Sequence, residues 1–163
     1  MFDIQLFGPV EVRTRGVLLA GADFGGDHPR RILALLALRG EMSTSELAGV
    51  LEEKKKAVES DMSVLRDRLE PGTAPNDSVV RRRGGRWSLD PDRVRVDVAR
   101  FDELINAAAG RPAERAVKPL TAASFVASRP LLEDEDLPWA AEARAAYRAK
   151  LVMARHEDVT QVN

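Results

Sequence analysis

Phe2, Ile4 and Leu6 alternate with Asp3 and Gln5, the period of a half-buried strand, so a strand is expected over 2–7. Gly8-Pro9 turns the chain, Val10-Glu11-Val12-Arg13 alternates again, and Val17-Leu18-Leu19 follows the turn Thr14-Arg15-Gly16. The pattern predicts a small antiparallel sheet before any helix, closed by a loop rich in glycine and aspartate from Gly21 to Asp27. From His28-Pro29 the period changes. Ile32, Leu33, Leu35, Leu36 and Leu38 make the next segment apolar on most sides, the mark of a central buried helix that Asp27 or His28 can cap and Gly40 can close. Ser43-Thr44-Ser45-Glu46 has the spacing of a capping box, in which a serine oxygen takes the third amide and a glutamate reaches back. Leu47, Val50 and Leu51 give the following short helix its inner face. A third helix opens at Lys54-Lys55-Lys56 and carries Val58, Met62, Leu65 and Leu69, an i, i+4, i+7, i+11 stripe, before Pro71-Gly72 ends it.

Val79-Val80-Arg81-Arg82-Arg83-Gly84-Gly85-Arg86-Trp87-Ser88-Leu89 reads as a basic hairpin whose Gly-Gly pair allows the positive φ of a tight turn. A helix pair followed by an arginine-rich wing is the plan of a winged helix-turn-helix, which holds one helix in a DNA major groove and a strand pair on the flanking backbone. Beyond Leu89-Asp90-Pro91 the character changes. Val94–Asp97 is a connector with a strand-like or extended pattern, and the rest reads as all-helical and alanine-rich: Val98–Ala109, then Glu114–Ala127 with Pro119 as a kink or restart, then Pro138–Val159 with Trp139, Ala143, Tyr147, Leu151 and Ala154 as its seam. The fold class expected is therefore α+β, a winged helix with an N-terminal antiparallel sheet over 1–92 followed by a helical domain over 93–163.

The net charge of −1 changes the picture. Fourteen basic and fourteen acidic residues lie up to Asp90, and eleven and twelve follow, so neither part is globally basic. Phosphate neutralisation drives nonspecific DNA binding, so any positive field here must come from local clustering. The chain of 163 residues has no cysteine, which excludes disulfides, thiolate nucleophiles and zinc–cysteine sites and fits a cytoplasmic location. The amino terminus lacks a secretory pattern, and the longest apolar run, Ile32 to Leu38, is too short to span a bilayer.

With the stripe inward, helical geometry turns Lys56, Ser60, Ser63, Val64 and Asp67 outward. Serines and lysine suit phosphates or base edges, whereas Asp67 repels phosphate unless it meets a cytosine amino group. Lys54, Lys55 and Lys56 stand where cations oppose the helix dipole, a placement an external anion would balance. Arg81, Arg82, Arg83 and Arg86 concentrate charge on the wing, with Arg81 and Arg83 on one face and Arg82 on the other. Each group also has a bland reading, as a solvated helix face, a helix start or a solubilising edge strand. Trp87 reads as a core or interdomain anchor.

Catalytic and metal constellations do not stand out. The glycine-rich Gly21–Gly26 lacks the lysine-serine or lysine-threonine of a P-loop, Glu133–Asp136 lacks EF-hand spacing, and Ser43, Thr44 and Ser45 serve capping. His28 and His156 are far apart in sequence, and His156-Glu157-Asp158 would need ligands from elsewhere. No enzyme activity, no cofactor and no metal are expected.

Leu6-Phe7-Gly8-Pro9-Val10-Glu11-Val12, Arg30–Leu38, Leu65-Arg66 with Leu69, Arg83–Leu89, Val96-Asp97 with Arg100-Phe101, and Leu131-Leu132 through Trp139–Arg144 together resemble, in order and spacing, the antibiotic-regulatory-protein (SARP) family of bacterial transcriptional activators. The resemblance implies an OmpR-type winged helix and a bacterial transcriptional activation domain with a tetratricopeptide-like helical fold, here short or truncated. It implies double-stranded DNA as partner, bound at promoter repeats, with contact to RNA polymerase; the helical C-terminal part is expected to mediate formation of a homodimer or to contact another protein. Two departures bear on function. Glu52-Glu53-Lys54-Lys55-Lys56 stands where the family usually carries a tryptophan and a proline-containing loop, and the helical domain is expected to stop early, after about three helices; the wing also has Gly-Gly-Arg where Gly-Gly-Tyr is more usual. A degenerate winged helix serving as a protein- or ligand-binding sensory module of a larger regulator is the alternative.

Overall fold

The structure is a computed structural model that describes residues 1–162, with side-chain surroundings given as far as His156. Glu157 and Asp158, weighed above beside His156, lie outside the residues whose side chains are described. The fold is mixed α and β, with an N-terminal sheet and six α-helices among the described residues. The chain divides into two compact units, one of residues 1–4 with 10–95 and one of residues 5–9 with the chain from Val96 on.

In the first unit the strands β1 (Phe2–Gln5), β2 (Glu11–Thr14) and β3 (Val17–Ala20) lie side by side in the expected N-terminal sheet, with β2 and β3 antiparallel. The expected strand over 2–7 stops at Gln5, because the amides of Leu6 and Phe7 turn to a side chain, Asp97, instead of a strand. The connector expected at 94–97 becomes a fourth strand, β7 (Val94–Val96), at the β1 edge, so the sheet order is β3-β2-β1-β7. Helix α1 (Asp27–Arg39) buries Ile32, Leu33, Ala34, Leu35 and Leu36 and is closed by Gly40. Its N-cap is the backbone of Gly26, not a side chain of Asp27 or His28. Asp27 instead pairs with Arg30 at 3.3 Å.

The capping box forms as read. Ser43 Oγ accepts from the Glu46 amide at 3.0 Å and Glu46 Oε1 accepts from the Ser43 amide at 3.2 Å, setting the start of α2 (Thr44–Leu51). Glu52 then takes the left-handed conformation at φ 55° and turns the chain into α3 (Lys55–Leu69). All four stripe residues of α3, Val58, Met62, Leu65 and Leu69, are buried, and α3 packs against both α1 and α2. The hairpin is β5 (Val80–Arg83) and β6 (Arg86–Leu89), turned at Gly84 and Gly85 with φ of 58° and 77°. A two-residue strand β4 (Met42–Ser43), too short to show a period, pairs with β6 and completes a second sheet of order β4-β6-β5.

The second unit holds α4 (Asp97–Ala108), α5 (Ala113–Val126) and α6 (Pro138–Val162), each packed on the other two. Pro119 lies inside α5 without ending it. Ala108, Ala116 and Leu120 form one core cluster, with Ile105 and Ala154 against it. Phe7, Phe101 and Tyr147 form another, with ring centroids 5.4 to 6.0 Å apart in tilted and edge-on pairs. Segment 5–9 belongs here for definite reasons. The Asp97 carboxylate accepts the amides of Leu6 and Phe7 at 2.9 to 3.0 Å, and Leu6 and Gly8 exchange backbone hydrogen bonds with Pro130, Leu132 and Glu133. Burial pushes the Asp97 carboxyl up, while the amides of Phe7 and Leu6 pull it back. Trp139 of the expected α6 seam is buried and Ala143, Tyr147, Leu151 and Ala154 are half-buried.

Candidate nucleic-acid interface

Three side chains near or on α3 fix where the hairpin sits. Arg66 donates from Nε and Nη2 to the Val80 carbonyl at 3.1 and 2.8 Å. Glu70, buried, accepts the Val79 amide at 2.6 Å through one oxygen and Arg93 at 2.5 Å through the other. Glu59 receives a bidentate pair from Arg82, at 2.8 and 2.9 Å. The guanidinium groups of Arg66 and Arg82 lie 5.0 and 4.7 Å from the Trp87 ring centroid, so that ring is a platform for two cations. Burial, and then the Arg82 charge, lower the pKa of Arg66. Trp87 is buried, and its Nε1–H donates to Thr44 Oγ1 at 2.9 Å, which ties the wing to the start of α2. Trp87 is thus the core anchor that the sequence suggested.

The four wing arginines separate by what they touch. Arg82 faces α3 and is held by Glu59 and Trp87. Arg86 pairs with Glu46 at 3.1 Å and Glu41 at 3.5 Å. Hydrogen bonds from Ser43, and then Arg86, hold the Glu46 carboxyl below its ordinary value. Arg81 stands 3.9 Å from Asp90, a loose pair. Arg83, at the turn, is exposed, and its side chain makes no ion pair or hydrogen bond among the described residues. Spacing showed the cluster, but the partners that engage half of it come from α2, α3 and the loop before β4, far away in sequence.

On α3, Lys54, Lys55, Lys56, Ser60, Ser63 and Asp67 are exposed. Lys54 is the N-cap and makes no side-chain capping bond, and the first turn holds no acid. The positive end of the helix dipole therefore stands open beside three lysines. Ser63 Oγ is turned back to the Glu59 carbonyl at 3.3 Å. Val64 is 37% exposed, but one methyl group leans onto Gly25, where a Cβ would come within 2.4 Å of it. Gly25 has φ 89°, so the close approach and the backbone both exclude larger residues. Val64 thus seats the loop before α1 as much as it faces outward. No helix among the described residues is long and apolar enough to cross a membrane.

No family profile and no curated protein matches the chain. Among solved structures it is similar to Mycobacterium tuberculosis EmbR in complex with a low-affinity phosphopeptide, with a TM-score of 0.75 and 25% sequence identity. The match covers 94% of this chain and 43% of EmbR, so the chain spans less than half the length of that relative. The likeness supports a SARP-like fold, a winged helix followed by a helical domain.

Proposed function

We propose that this chain is a DNA-binding transcriptional regulator of the activator type, and not an enzyme. The observation that carries the reading is the open, lysine-flanked start of α3 beside a hairpin pinned in register to that same helix. In this reading α3 enters the major groove of double-stranded DNA at promoter repeats, with Lys55, Lys56, Ser60, Ser63 and Asp67 toward base edges and phosphates. Arg83, with Arg81, reaches the flanking backbone, while Arg82 and Arg86 hold the wing. The tetratricopeptide-like helical unit contacts RNA polymerase or a second copy of the chain. The likeness to EmbR supports a DNA-binding regulator in general.

A second reading, a protein- or ligand-binding sensory module, draws on the internal pairing of Arg82 and Arg86 and on the acidic Asp67 on the outward face. A salt titration of binding to upstream fragments of the source genome separates the two. Selective binding that weakens steeply with salt supports the regulator. A folded chain that binds none of the fragments overturns it in favour of the module.

A further inference from the structure

His28 lies in the first turn of α1, Glu53 in the turn between α2 and α3, and Asp61 in the second turn of α3. Folding brings one ligand atom of each to within 4.8 Å of the others. His28 Nδ1 is 3.2 Å from Glu53 Oε1, yet it forms no aligned hydrogen bond. It is sealed from solvent, as are Glu53 Oε2 and Asp61 Oδ2, and these two oxygens also lack a hydrogen-bond partner. The two unpartnered carboxylate oxygens and the imidazole nitrogen thus converge on one small space, where buried carboxylates repel unless a proton or a cation lies between them.

The donor set narrows the class of charge. One imidazole nitrogen with two carboxylates is a first-row transition-metal set, not the all-oxygen cage of calcium or magnesium. Tetrahedral bonds of about 2.0 to 2.2 Å place ligand atoms roughly 3.4 Å apart, which the 3.2 Å contact and the 4.8 Å envelope accommodate with small side-chain rotations. We propose that His28, Glu53 and Asp61 form a three-ligand site for a zinc-class divalent ion, with water completing the tetrahedron. Such an ion would join the start of α1, the helix-turn-helix corner and α3. The site goes beyond the DNA-binding reading and stands without it.

Chelator-treated full-length chain, titrated with zinc chloride against a chromophoric competitor, is expected to take up one ion per chain and to gain thermal stability as it does so. Cobalt in place of zinc should give the visible absorption of a tetrahedral centre on the unaltered chain. The near-isosteric Asp61→Asn and Glu53→Gln, and His28→Ala, should each weaken zinc binding at least about tenfold, whereas His156→Ala, the other histidine, should leave it unchanged. Folded chain that binds no zinc and gives no cobalt band would overturn the site, leaving an imidazolium–carboxylate pair or a shared proton in its place. Zinc uptake that survives in Asp61→Asn but vanishes in His156→Ala would overturn it as well.

Discussion

Arg82 and Arg83 are neighbours with opposite surroundings, and replacing each by alanine should separate a hold on the fold from the proposed contact with DNA. Arg82 makes a bidentate pair with Glu59 at 2.8 and 2.9 Å and lies over Trp87 at 4.7 Å. Its side chain is 45% exposed and that of Glu59 38%, so screening keeps the ion pair at about 0.2–1 kcal/mol. The cation–π contact adds roughly 0.5–1 kcal/mol. Arg82→Ala should therefore destabilise the winged unit by about 1–2 kcal/mol, a fall of roughly 0.5–1 M in urea midpoint. The Arg83 side chain touches nothing that holds the fold, and Arg83→Ala should leave the unfolding free energy within about 0.5 kcal/mol of the parent. On DNA the order reverses. One phosphate contact contributes about 0.9 to the slope of log affinity against log salt. Over a fourfold rise in salt the parent should then lose about 3.5-fold more affinity than Arg83→Ala does. Urea unfolding followed by circular dichroism, and fluorescence anisotropy at several salt concentrations on one bound fragment, measure the two quantities. An unchanged salt slope in Arg83→Ala, together with an unchanged urea midpoint in Arg82→Ala, would refute the division of labour read from the contacts.

Three further outcomes are expected. Thr44→Val leaves the buried Trp87 indole N–H without its acceptor and should cost about 1–3 kcal/mol in urea unfolding, with a shift in tryptophan emission; full stability would refute the role of that hydrogen bond. Gly25→Ala meets Val64 Cγ1 at 2.4 Å and should destabilise by more than about 1 kcal/mol, of which Val64→Ala in the same chain restores only part, because the positive φ persists. Tyr147, the single tyrosine, has its hydroxyl pushed up to about 12 by burial and then by Asp102, so tyrosinate absorbance should appear only near that pH. Because the folded phenol keeps its proton where the unfolded one loses it, stability tied to this group falls as pH rises from 10 toward 12, and Asp102→Asn should lower the titration midpoint.

What was legible in the sequence was what local physics decides. The stripe Val58, Met62, Leu65, Leu69, the Ser43–Glu46 box and the Gly84-Gly85 turn each depend on residues a few positions apart, and each formed as read. The features that escaped depend on distant partners. Strand β4 exists because β6 offers it an edge, and although 94–97 had a strand-like pattern, its place beside β1 was set at a distance. The expected strand beyond Gln5 was lost to Asp97, ninety residues on. On the candidate interface, alternation gave the two faces of the wing, but that Glu59 holds Arg82 while Arg83 stands open is a tertiary fact. His28, Glu53 and Asp61 come from three elements with no spacing that links them, so no motif could have announced their convergence.

The clasp of Asp97 on the Leu6 and Phe7 amides has a consequence for synthesis on the ribosome. The acceptor is translated about 5–20 s after the donors, at ordinary rates of elongation. Until it emerges, the Leu6 and Phe7 amides have water in place of their folded acceptor, and no single proteolytic nick can release one unit with all of its own residues.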